Sequence, residues 1–259
     1  MTVPLPMTRG RRVALLLGLP VALAVIGWTG LTAVAYAGQA SYPVRLAVPV
    51  RGNTVSLSAG DADVRVTQAP GSRLLLTGTA HYSIVRSTVT WHTTPSGVAV
   101  SPRCHFVVGN CSFDLHAVVP DGKRALISTG SGNVTLANLS GPVNAATGSG
   151  DVSGNAVSGA KVTLSTGSGN ISIAGLTGAQ VSASAGSGDI TLTFTKVPDR
   201  VHVDSGSGNV TLVLPPGTTP YHVSATADSG GRVVTVPTNP ASQHVITVSA
   251  GSGNITIAN

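Results

Sequence analysis

Seven histidines, nine aspartates, two cysteines and no glutamate carry the chemistry open to this chain of 259 residues. Cys104, His105 and Cys111 are metal-ligand types close together, but no fourth ligand follows at a diagnostic spacing. In an oxidising compartment, the two cysteines more simply bridge a hairpin across HFVVGN, with Gly109-Asn110 as its turn signal. Polysaccharide hydrolases and lyases need paired carboxylates or an Arg/Lys–carboxylate cluster. Here Asp121, Asp151, Asp189 and Asp199 read as turn residues. His81, His92, His105, His116, His202, His222 and His244 are scattered through strand-like runs with no partner pattern.

Recurrent Gly-Ser-Gly triplets could cradle phosphate only where a helix N-terminus follows, and none does. Calcium needs several oxygen ligands together, yet three of the five regular triplets are followed by neutral Asn. An outward Thr-x-Thr ladder for ice occurs among the repeat strands only at Thr191-Leu192-Thr193. The expectation is a protein without catalytic residues, cofactor or metal.

Composition points the same way. Charged residues are 9 %, against ~25 % in ordinary soluble domains. Aromatics at 3 % exclude a stacking platform for single-stranded nucleic acid. Of the formal charge of +6, Arg9, Arg11 and Arg12 precede the first apolar run. Arg103, Lys123 and Arg124 read as isolated surface charges, so no clustered nucleic-acid face is expected.

The elements that must position these residues come from a repeat. Gly130, Gly132 and Asn133 open GSGNVTL, and Gly148, Gly150 and Asp151 open GSGDVSG. Gly167, Gly169 and Asn170, then Gly186, Gly188 and Asp189, then Gly206, Gly208 and Asn209 continue the series. Gly251, Gly253 and Asn254 close it after a degenerate copy, Ser229–Val233, and Gly60–Val64 is an upstream echo. Within each unit apolar residues alternate with Ser or Thr, so every unit of about 19 residues reads strand–turn–strand–turn. Such a unit cannot bury its own apolar face and must stack on its neighbours.

This predicts an all-β protein, a β-solenoid of parallel coils, with Val or Ile inward and Ser or Thr outward. The corner glycines are expected to supply φ > 0, and the Asn or Asp an αL or Asx turn. Stacking would place Asn133, Asp151, Asn170, Asp189 and Asn209 in one ladder, its carboxylates two coils apart. Residues 44–125 read as an irregular β-rich start or cap, and 126–259 as the solenoid. No distinct C-terminal cap is visible.

Residues 13–37 carry no charge and are long enough to span a bilayer as a helix. With Arg9, Arg11 and Arg12 before it, this predicts a cytoplasmic segment 1–12, a transmembrane anchor 13–37 and a linker 38–43. The small-residue patterns Ala33-Val34-Ala35 and Ala35-Tyr36-Ala37 offer cleavage of a signal peptide as the alternative. Both place the rest of the chain outside the cytoplasm.

The Gly-Ser-Gly-(Asn/Asp)-(Val/Ile) corners, and the turn Val118–Gly122 leading into them, resemble the bacterial "putative adhesin" family of extracytoplasmic β-strand-repeat proteins, the toast-rack domains. The resemblance covers residues 45–259. It implies a β-solenoid at the cell envelope, acting in surface interaction with protein or glycan, or as accessory ectodomain of an envelope-stress signalling system. It brings no catalytic residues.

Overall fold

The computed structural model describes residues 20–30, 32–33, 37–105 and 111–259. The basic segment 1–12, the start of the expected anchor at 13–19, residues 34–36 of the expected cleavage patterns and the Gly109-Asn110 turn lie outside them. Residues 20–30 are helical, with Val21, Leu23, Ile26 and Trp28 exposed. Among the described residues no helix is long and apolar enough to cross a membrane.

From Ala40 onward the described chain is almost wholly strand and turn, in two sheets rich in parallel pairs. The first part supplies β1 (Ala40–Pro49), β2 (Thr54–Ala59), β3 (Ala62–Ala69), β4 (Arg73–Tyr82), β5 (Thr88–Thr94), β6 (Gly97–Arg103) and β7 (Cys111–Pro120). The repeats then alternate between sheets: β8 (Arg124–Thr129) and β9 (Val134–Leu139), β10 (Val143–Thr147) and β11 (Val152–Val157), β12 (Lys161–Thr166) and β13 (Ile171–Leu176). β14 (Gln180–Ala185) and β15 (Ile190–Phe194), β16 (Arg200–Ser205) and β17 (Val210–Val213) follow. The last are β18 (His222–Ala227), β19 (Arg232–Val234), β20 (Val245–Ala250) and β21 (Ile255–Ala258).

Sheet I runs β1-β4-β7-β3-β9-β11-β13-β15-β17-β21-β19, and sheet II runs β18-β20-β16-β14-β12-β10-β8-β2-β6-β5. Each coil gives one strand to each sheet, and strands of successive coils pair in parallel from β8 to β17. This agrees with the expected solenoid. Alternation fixes the faces: Val134, Val152, Ile171, Ile190 and Val210 stack inward in sheet I, against Val143, Val162, Val181 and Val201 of sheet II, all buried. One continuous core joins these to Val55, Val64 and Leu76 of the first part.

The ends depart from sequence order. The coil β2–β3 is wedged between β6–β7 and β8–β9, so the upstream echo stands in file directly beneath Gly130. At the far end β20–β21 packs on β16–β17, and the degenerate coil β18–β19 lies outside it. The chain therefore has a terminal coil that its sequence order hides, which corrects the expectation of no C-terminal cap. Its divergence follows from its place. Among the described residues the terminal coil has a neighbour on one side only, and β19 is exposed throughout.

The opposite end closes with antiparallel pairs, β1 on β4, β4 on β7 and β5 on β6. Cys104 and Cys111 are joined by a disulfide that ties the crossing from β6 to β7.

Candidate interaction surface

The corners explain themselves from the glycines outward. A Cβ on Gly150, Gly169, Gly188, Gly208 or Gly253 would meet the carbonyl oxygen of the same glycine one coil below at 2.0–2.1 Å. On Gly148, Gly167, Gly186, Gly206 or Gly251 it would meet the first corner glycine below at 2.3–2.5 Å. None of these has positive φ; the left-handed residues lie elsewhere, at Asn138, Ala156 and Gly175 among others. The expectation of φ > 0 is corrected. Close stacking of backbone on backbone, not turn geometry, excludes a side chain. The echo carries Ala62 where the others carry their second glycine.

The fourth position is likewise not an αL residue. Its side chain reaches up one coil and accepts a backbone N–H. Asp63 accepts from Asn133 at 2.7 Å, Asn133 from Asp151 at 2.9 Å, and Asp151 from Asn170 at 2.7 Å. Asn170 accepts from Asp189 at 2.9 Å, Asp189 from Asn209 at 2.7 Å, Asn209 from Asn254 at 3.0 Å, and Asn254 from Gly231 at 2.9 Å. Each carboxylate bond is shorter than each amide bond, as charge assistance requires. Gly231 ends the ladder, since among the described residues no coil stacks above β18–β19 to need an acceptor. Behind it, buried Thr147 and Thr166 each accept the N–H of the second glycine of their own corner and donate to the carbonyl of that glycine one coil below.

Along the repeat ladder acids stand two coils apart, about 9–10 Å by the strand spacing. Where acids do adjoin, at Asp63 and Asp114 on β3 and β7, His81 Nε2 lies 3.3 Å from Asp114. Among the described residues no group of three or more His, Cys, Asp or Glu side chains is placed to hold a metal.

The histidines are less scattered than their sequence positions suggest. His202 Nε2 lies 2.7 Å from Asp204 and His244 Nδ1 3.8 Å from Asp199. Ser249 donates to Asp204 as well. This serine–aspartate–histidine trio has the wrong order for nucleophilic catalysis, because the aspartate separates the hydroxyl from the imidazole that would have to deprotonate it.

On the outward faces two register-matched columns are polar. Thr135, Ser153, Ser172, Thr191, Thr211 and Thr256 form a register-matched column on sheet I. At its lower end lies a cleft of about 450 Å³ lined by Asp63, Arg65, Thr77, Asp114, His116 and Thr135. Sheet II presents Asn144, Thr163, Ser182, His202, Thr247 and Ser224 in one file. A second cavity, about 500 Å³, opens at the terminal coil beside Tyr221 and Arg232. There Arg232 donates to the Ala225 carbonyl at 2.7 Å, and burial pushes the Tyr221 hydroxyl's pKa up.

A sequence profile of the family described as Toastrack DUF4097 matches residues 121–258, more than half of the chain. No curated protein matches. Among solved structures, a "putative cell adhesion protein" from Clostridium sporogenes is 13 % identical with a TM-score of 0.38, covering 84 % of this chain and 99 % of that one. A "putative adhesin" from Bacteroides fragilis is 14 % identical with a TM-score of 0.45, covering 84 % and 97 %.

Proposed function

The chain belongs to the Toastrack DUF4097 family, and from that premise we propose a non-catalytic envelope protein that presents its stacked coils outside the cytoplasm for surface interaction. The observation that carries this is the pair of outward files, lined in register mostly by Ser, Thr and Asn, while the inward positions of the same strands fill the apolar core. Such faces offer many hydroxyl and amide groups to a glycan or a polar protein surface.

Support for the compartment comes from the Cys104–Cys111 disulfide. The Arg-flanked apolar run, whose helical residues 20–30 expose apolar side chains, supports a membrane anchor with the N-terminus inside. The mass of the mature protein checks the anchor: loss of residues before Tyr36 or Gly38 would replace it with a cleaved signal.

The function is tested by binding of purified full-length protein to isolated cell envelopes. Saturable attachment is expected. No attachment, together with an altered envelope-stress response on deletion, would assign the accessory signalling role instead.

A further inference from the structure

The basic residues that look isolated in sequence are brought into file by the coils. In sheet II, Ala125 pairs with Val143 and Val143 with Val162, which sets Arg124, Pro142 and Lys161 on successive strands at one outward position. Lys161 then pairs with Gln180 and Gln180 with Arg200. Cations therefore recur on every second coil, about 9–10 Å apart by the strand spacing. Arg124, Lys161 and Arg200 are exposed, and among the described residues no Lys or Arg side chain forms an ion pair with a carboxylate. The nearby acids are few: Asp199 faces His244, Asp204 holds His202 and Ser249, and Asp121 lies in the turn before Arg124. Between Arg124 and Lys161 a recess of about 170 Å³ opens over Pro142, flanked by Leu126, Asn144 and Thr163. It is large enough for one anionic group together with part of a sugar or polyol. The hydroxyl and amide file of sheet II runs alongside.

We propose that this stripe binds a linear, hydroxyl-rich polyanion of the cell envelope, lying along the stack with its anionic groups meeting Arg124, Lys161 and Arg200 in turn. The proposal rests on the surface-interaction reading and names its ligand class. A polymer is required because one exposed ion pair contributes little, whereas linked contacts gain from effective concentration. The shared chemistry is a repeating anion, either a uronate carboxylate or a polyol phosphodiester. Nucleic acid fits less well, since the outward file beside the stripe holds no Phe, Tyr or Trp and its cations are sparse.

The test measures binding of the full-length protein to polygalacturonate, poly(glycerol phosphate), neutral dextran and duplex DNA. Binding to at least one of the two anionic polymers is expected, and the preferred one identifies the anion. Affinity should fall roughly tenfold as ionic strength rises from about 0.05 to about 0.5 M. Combined Arg124→Gln, Lys161→Gln and Arg200→Gln should weaken binding roughly 30-fold. Gln180 already occupies this file, so the coils accept the substitution, and an unchanged melting temperature checks that they do. Arg73→Gln, on sheet I, should leave binding unchanged. Equal binding of dextran, tighter binding of DNA, or a triple variant as tight as wild type would each overturn the proposal. Envelope attachment without binding to either anionic polymer would overturn the stripe while sparing the surface-interaction reading. Attachment to neither would overturn both.

Discussion

At Gly169 the smallest residue is demanded by a neighbour rather than by its own dihedral angles. Gly169→Ala places a methyl group 2.0 Å from the Gly150 oxygen and is expected to cost about 3 kcal/mol, as overpacking does. Gly60→Ala, with nothing within 4 Å of the new carbon, should change stability by less than about 0.5 kcal/mol. Urea denaturation of both variants checks the contrast, and equal losses would refute the close-approach argument. In the ladder, two effects compete on Asn170→Asp. The bond from the Asp189 N–H becomes charge-assisted, a gain of about 0.5–1 kcal/mol. The new carboxylate then lies one coil from both Asp151 and Asp189, and two exposed like-charge contacts at about 5 Å cost roughly 2 kcal/mol together. Repulsion wins, so the variant should be less stable near neutral pH. The deficit should vanish as acid protonates the carboxylates, and thermal melts across pH would show it.

At the scale of the element, each coil is closed by different means at its two ends of the stack. The lower end uses antiparallel strands and the Cys104–Cys111 bridge. The upper end uses β18 and β19, with Tyr221 buried just before β18 and its hydroxyl without a hydrogen-bond partner among the described residues. Burial raises this hydroxyl's pKa, so the folded state favours the neutral phenol. Its contribution is complete below the unfolded value of about 10 and is lost as pH rises past it. Tyr221→Phe removes an unpaired buried hydroxyl and should be neutral or slightly stabilising at pH 7. Above about pH 10 the variant should lose less stability than wild type, which alkaline denaturation monitored by circular dichroism measures.

For the molecule as a whole, the ordering of coils makes its last residues structural partners of both neighbours. Among the described residues β18 pairs with β20 alone and β19 with β21 alone. Removing residues 243–259 should therefore free β18 and β19 from the stack and uncover β16 and β17. Hydrogen exchange should show protection lost across 218–236 but retained at β10 to β13. Retained protection at β18 would refute the wedged order.

Strand identity, facing and the stacked ladder were legible in the amino-acid sequence because they depend on a period of two inside a period of about nineteen, both local properties of the chain. Gly130 to Asn209 could be placed in file for that reason. Three outcomes were decided only in the folded state. The coil containing Asp63 slipped beneath Gly130, and β20–β21 slid under β18–β19, because parallel edges pair by backbone hydrogen bonds that carry no record of chain order. The corner glycines took their reason from a carbonyl roughly nineteen residues away. Arg124, Lys161 and Arg200 became one stripe because strand spacing turned separations of 37 and 39 residues into two steps each. Their shared offset, one residue before the first inward apolar side chain of each sheet II strand, was the signal for that stripe. It becomes meaningful once coils, rather than sequence neighbours, define what lies side by side.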